Sequence, residues 1–163
     1  MPVLADDLHN IYLKLKLYYY LRIFRKMTDN PEEALTALEV FCAEAIYGLG
    51  NPTLTEFAHF INVSQPNAAY KVANLEKKGY VEKTRSTRDG RVVRLRITDK
   101  FLQVYGTSER YVSILAKRIE RKYPPEEVER FSAMMREISE DMMRELNQYL
   151  HHRADLPEGV VPD

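Results

Sequence analysis

This sequence has one cysteine, no apolar run long enough to cross a bilayer and no net charge, and each shortage closes off a class of function. Cys42 alone cannot build an intramolecular disulfide framework, and a lone thiol suits a reducing cytoplasm. Without a stretch of about eighteen or more apolar residues, no membrane-spanning helix is expected. The N-terminus lacks a charged segment followed by an apolar one, so no signal peptide is expected and the expected location is cytoplasmic. Catalytic signatures are missing too. There is no glycine-rich phosphate loop, no His-Glu-x-x-His and no locally supported Ser-His-Asp set, so an enzyme is not expected. Paired acids such as Glu126-Glu127 and Glu140-Asp141 read as solvated helix faces. His9, His59, His151 and His152 are scattered, so neither a metal site nor a cofactor is expected.

What remains is an ordinary globular composition, 45% hydrophobic and 29% charged over 163 residues, enough for one domain or a small module with helical extensions. Zero net charge argues at first against a nucleic-acid partner, but the average conceals a cancellation. Between Gln65 and Lys100 there are ten Lys and Arg against four Asp and Glu, so the rest of the chain is correspondingly acidic. A basic block on an acidic protein is the footprint of a face that meets phosphate.

The pattern predicts a mainly α chain with a small β-wing. A helix over about Asp6–Met27 carries apolar residues almost all the way round, including Leu8, Ile11, Leu15, Tyr18, Tyr19 and Phe24. Such a helix needs cover on several sides, and in so small a protein a second subunit supplies it. Thr36 and Glu39 have capping-box spacing and open a helix to about Tyr47; Thr53 and Glu56 repeat the device for a short helix to Ile61. Ser64 caps a third helix with Pro66 in its first turn, ending near Lys78 with Gly79 in the left-handed position. Two strands follow, near Val81–Arg85 and Val92–Ile97. Val93, Leu95 and Ile97 alternate with Arg94 and Arg96, and the tip is Asp89-Gly90 or a longer loop from Ser86. Two more helices, about Asp99–Lys122 and Pro125–His151, complete the chain. The second has a seam of Val128, Phe131, Met135, Ile138, Met142, Leu146 and Tyr149.

Two helices at a sharp turn and then a basic ribbon describe a winged helix-turn-helix between Thr53 and Thr98. Asn67, Tyr70, Lys71 and Asn74 share one side of the proposed recognition helix. Asn pairs with adenine edges, Lys serves guanine or phosphate, and a tyrosine hydroxyl reaches phosphate. Ser64 and Gln65 stand at the helix N-terminus, where free N–H groups attract phosphate. Ala68 is counted among the contacts, although with Val72 and Leu75 it also falls on the side that packs on the preceding helix. On the wing, Arg85, Arg88 and Arg91 are the candidate grips, and Asp89 is expected to steady Arg91 by a forked ion pair. A solvated polar helix face and a charge-protected edge ribbon are the bland readings of the same residues.

The stretch Leu35-Thr36 to Lys100 resembles the MarR family of winged-helix transcription regulators. The resemblance rests on Leu54-Thr55-Glu56-Phe57-Ala58, the Ser64-led helix, Leu75-Glu76-Lys77-Lys78-Gly79-Tyr80-Val81, Arg88-Asp89-Gly90-Arg91 and Leu95-Arg96-Ile97-Thr98. Gly90 stands where the family's wing tip carries a middle arginine, and the glycine that follows the family's wing is absent here. The resemblance implies bacterial or archaeal origin and a homodimer joined through its terminal helices. It implies a repressor that reads a pseudo-palindromic double-stranded operator and is released by a small aromatic or lipophilic effector. Tyr12, Tyr19 and Tyr47 are the candidate effector-binding residues, although packing in a dimer core explains them as well. Cys42 reads as a buried structural thiol, because the family's peroxide-sensing cysteine near the start of the first helix is absent. The domains expected are a dimerisation helix over 1–31, the winged lobe over 32–99, dimerising helices over 100–152 and a flexible tail over 153–163. The competing reading is a winged-helix interaction module whose basic wing docks an acidic protein.

Overall fold

The computed structural model describes residues 3–29, 31, 34–85 and 89–150. Among them no helix is long and apolar enough to cross a membrane. Helix α1 (Val3–Asp29) runs slightly past both predicted ends, and of its many apolar side chains only Ile23 is buried. Leu8, Ile11, Leu17, Leu21 and Phe24 remain exposed.

Local signals set the next three helices. Helix α2 (Ala37–Leu49) opens with a complete capping box: the Glu39 N–H donates to Thr36 Oγ1 (3.2 Å) and the Thr36 N–H donates to Glu39 Oε2 (2.8 Å). Helix α3 (Leu54–Phe60) repeats it, with Glu56 N–H to Thr53 Oγ1 at 3.2 Å and Thr53 N–H to Glu56 Oε2 at 2.8 Å. Helix α4 (Gln65–Lys77) opens at Ser64, whose hydroxyl accepts the Asn67 N–H. It closes at Gly79, φ +79°, where the Tyr80 N–H reaches back to the Leu75 carbonyl and the Gly79 N–H to that of Glu76, both at 2.9 Å. Those two bonds satisfy carbonyls that the helix end would otherwise orphan, and only glycine adopts that turn without strain.

Strands β1 (Val81–Arg85) and β2 (Val93–Ile97) pair antiparallel, Val81 opposite Ile97 and Arg85 opposite Val93. Beyond β2 the ladder gains one rung from the loop before α3. Thr53 bridges to Arg94, and the Leu95 N–H donates to the Pro52 carbonyl at 2.8 Å. Leu95 and Ile97 face the core and Arg96 faces water, as the alternation predicts. Arg94 departs from it, half-buried and turned toward the lobe, while Val93 is exposed.

The predicted single helix over 99–122 is two helices. Helix α5 (Asp99–Tyr105) is followed, across Gly106, by α6 (Thr107–Lys122). Gly106 sits at ψ 36°, and a Cβ there would stand 2.4 Å from the Leu102 carbonyl oxygen. A close approach that only glycine permits interrupts an otherwise continuous amphipathic pattern. Phe101 and Tyr105 of α5 are buried with Tyr80 in one aromatic cluster, so the lobe's packing extends beyond residue 99. The Tyr105 hydroxyl accepts the Leu35 N–H at 2.8 Å, tying α5 to the entry of α2.

The predicted last helix is also broken. Helix α7 (Pro125–Glu137) passes into a π-helical turn at Ile138–Met142, and after Met143 a short α8 (Arg144–Asn147) follows. Arg144 Nε donates to the Asp141 carbonyl (2.6 Å) and Asn147 Nδ2 to that of Glu140 (3.0 Å), taking acceptors that a continuing helix would use. The redirected chain sets Tyr149 edge-on against Phe60 of α3, ring centres 5.2 Å apart. The expected seam is therefore interrupted. Phe131, Met135, Met142 and Leu146 are exposed, while Val128, Ile138 and Tyr149 are half-buried. The α6–α7 hairpin lines a cavity of about 350 Å³ with Ile119, Tyr123, Val128 and Phe131. It touches α1 through Tyr18 and Tyr111, stacked with centres 4.0 Å apart. His151, His152 and the expected tail over 153–163 lie outside the described residues.

Candidate nucleic-acid interface

Helix α4 is seated by one face and presents the other. Ala68, Val72 and Leu75 are fully buried, and the helix packs against α2 and α3 through that face. Ala68 thus drops out of the candidate contacts: at 0% exposure its methyl is core, and no base edge can reach it. Ser64, Gln65, Asn67 and Tyr70 are exposed, and Lys71 and Asn74 are half-exposed, on the outward side. Tyr70 is the extreme case, a ring 68% exposed in the middle of the helix. Gln65 Nε2 donates to Thr55 Oγ1 at 2.8 Å, which holds that side chain at the junction of α3 and α4. Thr55 escaped the sequence reading because its partner lies ten residues on, in another helix.

At the wing tip Asp89 steadies Arg91 through the main chain. Its Oδ1 accepts the Arg91 N–H (3.0 Å), and its carbonyl accepts the Val92 N–H (3.0 Å), closing the turn. Asp89 thus holds the main chain of Arg91 and fixes the turn that carries it. Gly90 is not left-handed here, and a Cβ would meet nothing within 4 Å. Arg85 is exposed at the end of β1, and Arg88 lies outside the described residues.

Much of the basic surplus is engaged internally. Lys83 pairs with Glu76 (2.9 Å), linking β1 to α4, and Arg96 pairs with Glu82 across the ribbon (2.9 Å). Lys78, at the end of α4, reaches both carboxylate oxygens of Glu39 at 2.9 and 2.8 Å. Burial pushes the Glu39 carboxyl up, but the Lys78 and Thr36 hydrogen bonds and the Lys78 charge outweigh it and hold it below its ordinary value. Arg94 is bound to the loop before α3, with Nη1 3.1 Å from the Asn51 carbonyl and 3.7 Å from Glu56 Oε2.

Behind α4, Cys42 is 3% exposed, and burial pushes its thiol up against a smaller opposing pull from Lys71. It is a neutral, inaccessible thiol. The effector candidates separate. Tyr19 and Tyr47 pack against the edge of the core, whereas Tyr12 is exposed with the Lys16 ammonium 4.7 Å over its ring. Burial, and then the Glu44 carboxylate, push the Tyr19 phenol well above its ordinary value, so it stays a neutral donor.

This arrangement of capped helices, buried α4 face and two-stranded wing has known counterparts. Residues 35–93 match the model of the MarR family. Over those residues the winged lobe is similar to that of MarR-family proteins. Among solved structures, a MepR mutant from a multidrug resistant S. aureus clinical isolate superposes with a TM-score of 0.58 at 13% identity, covering 88% of this chain and 100% of that one. A MarR family protein from Bacillus stearothermophilus gives 0.50 at 19% identity, covering 85% and 94%. The transcriptional regulator Tm0710 from Thermotoga maritima gives 0.50 at 18% identity, covering 87% and 98%. At these identities the likeness is one of fold, and it extends beyond the MarR-type lobe to the flanking helices. No curated protein sequence matches the chain.

Proposed function

We propose that the protein is a homodimeric repressor that binds a pseudo-palindromic operator, placing one α4 in the major groove of each half-site and one wing beside it. The observation that carries this reading is the two-sided α4. Its buried Ala68–Val72–Leu75 face fixes the helix, while Asn67, Tyr70, Lys71 and Asn74 stand outward next to a wing whose tip presents Arg91. Ser64 and Gln65 serve phosphate at the helix start, and Arg85, Arg88 and Arg91 serve it or the minor groove at the wing. The exposed apolar residues of α1 and α7 support a two-fold partner, because a patch of this kind needs cover.

Release by a small ligand fits the junction of α1 and α2. Arg22 Nε is buried there without a hydrogen-bond partner, and the Tyr19 phenol stands beside the Glu44 carboxylate, which adds to the upward push of burial. A buried donor without a partner favours a ligand that brings an acceptor. An aromatic or lipophilic molecule with a polar edge suits that corner, with Tyr19 and Tyr47 against its ring.

Binding to a fragment of the DNA upstream of the protein's own gene, measured at rising salt, tests the reading. Affinity should fall steeply with salt, because releasing the same counterions into a more concentrated solution gains less entropy, with a log–log slope of about −0.9 per phosphate contact. No affinity for any DNA at low salt would sink it.

A further inference from the structure

Arg94 looks from its place on the ribbon like one more cation for DNA, and the geometry gives it a different task. Gly50 and Asn51 are both left-handed, φ 70° and 58°, which turns the Asn51 carbonyl toward the ribbon. Arg94 Nη1 donates to that carbonyl at 3.1 Å and lies 3.7 Å from Glu56 Oε2, the same oxygen that accepts the Thr53 N–H and caps α3. The main chain of the same stretch is joined to the same loop, Thr53 bridging Arg94 and the Leu95 N–H meeting the fully buried Pro52 at its carbonyl. On its other edge Arg94 pairs with Thr84 of β1. One residue therefore links the outer strand of the wing to the N-terminus of the first helix of the turn, with a side chain only 24% exposed.

We propose that Arg94 is the positioning residue of the wing: it contacts no DNA, and its clamp on Asn51 and Glu56 sets where the tip arginines stand relative to α4. This rests on the DNA-binding reading above. A wing is a two-stranded ribbon, and such a ribbon has little independent stability. Its tip is useful to the recognition helix only if its root is held, because a contact is worth most when its geometry is fixed before the partner arrives.

The test is a double-mutant cycle with Arg91→Ala and Arg94→Met on a DNA fragment that the parent binds. Arg94→Met should weaken binding about tenfold while leaving the salt slope at the parental value, whereas Arg91→Ala should lower the slope by about one. In the Arg94→Met background, Arg91→Ala should cost little more, because the tip has already lost its place. Arg94→Lys, whose ammonium still reaches the Asn51 carbonyl, should recover at least half of the lost affinity on a logarithmic scale. Independently of DNA, amide exchange at Leu95 and along the wing should quicken roughly tenfold in Arg94→Met. A reduced salt slope in Arg94→Met, strict additivity with Arg91→Ala, a Lys variant as weak as Met, or unchanged exchange at Leu95 would each overturn the proposal. If the parent binds no DNA, the regulator reading fails by itself, and the Leu95 exchange still decides whether the clamp exists.

Discussion

In the proposed complex Asn67 and Arg91 have different tasks, and their variants should separate. A side-chain amide on the outward face of α4 matches the adenine edge, so Asn67→Ala should relax the preference at one base position by about 1–3 kcal/mol. Binding-site selection with parent and variant shows whether one position loses its preference or the whole site weakens evenly. Gly90 permits the reverse experiment. Its backbone is not left-handed and its Cβ direction is open, so Gly90→Arg should fold unchanged, tighten binding and steepen the salt slope by about one contact, as titration at several salt concentrations would read. An unchanged slope would mean that the tip stands clear of the phosphates. Contrast with Ala68 shows how narrow the margin is: one residue beyond Asn67 the side chain is already wholly inside the core.

At the scale of the element, Glu39 joins two helices. Its carboxylate closes the capping box of α2 and receives the Lys78 ammonium at the end of α4. Glu39→Ala should lower stability by about 1–2 kcal/mol in chemical denaturation, most of it from the cap, since a half-exposed ion pair adds less than about 1 kcal/mol. The pH dependence has a definite sign. The folded carboxyl sits below its ordinary value of 4.5, so its contribution is complete above that value and is lost as the pH falls through the lower folded value. Parent and Glu39→Gln should therefore differ at neutral pH and converge in acid; a constant difference would remove the linkage. Such caps were legible in the sequence because each signal lies within one turn of the helix that it opens. The Ser64 start and the Gly79 stop were legible for the same reason. The break at Gly106 and the π turn at 138–142 were not, because the apolar spacing runs on through both and the deciding groups are carbonyls. Arg94 was misjudged for a related reason: its acceptor is 43 residues away and belongs to no pattern.

The whole molecule, as a single chain, leaves a large apolar surface in water. Phe131 on α7 and Phe24 on α1 are 46% and 65% exposed, and the hairpin cavity opens beside the former. In the proposed dimer those groups are covered, so Phe131→Glu should cost the protomer little and the dimer much. Sedimentation should show the variant as a monomer. Binding to a full operator should weaken by at least an order of magnitude while affinity for a half-site persists, since linkage of two reading heads supplies the difference. A variant that remains dimeric at micromolar concentration would place the interface elsewhere.

The bend at Gly106 has a mechanical consequence. On one side of it α5 is embedded among the aromatic residues under the wing; on the other, α6 extends 16 residues and leans on α1 through the Tyr18–Tyr111 stack. A helix of that length is a lever of roughly 24 Å, so a rotation of roughly 10° at the bend moves its far end by about 4 Å. In the proposed dimer, two heads set one helical turn apart, about 34 Å, would tolerate little such travel, because one base-pair step is only about 3.4 Å. In the proposed complex the bend is placed as a fulcrum, at which an angular change too small to disturb either packed end would become a shift of a whole step along the duplex.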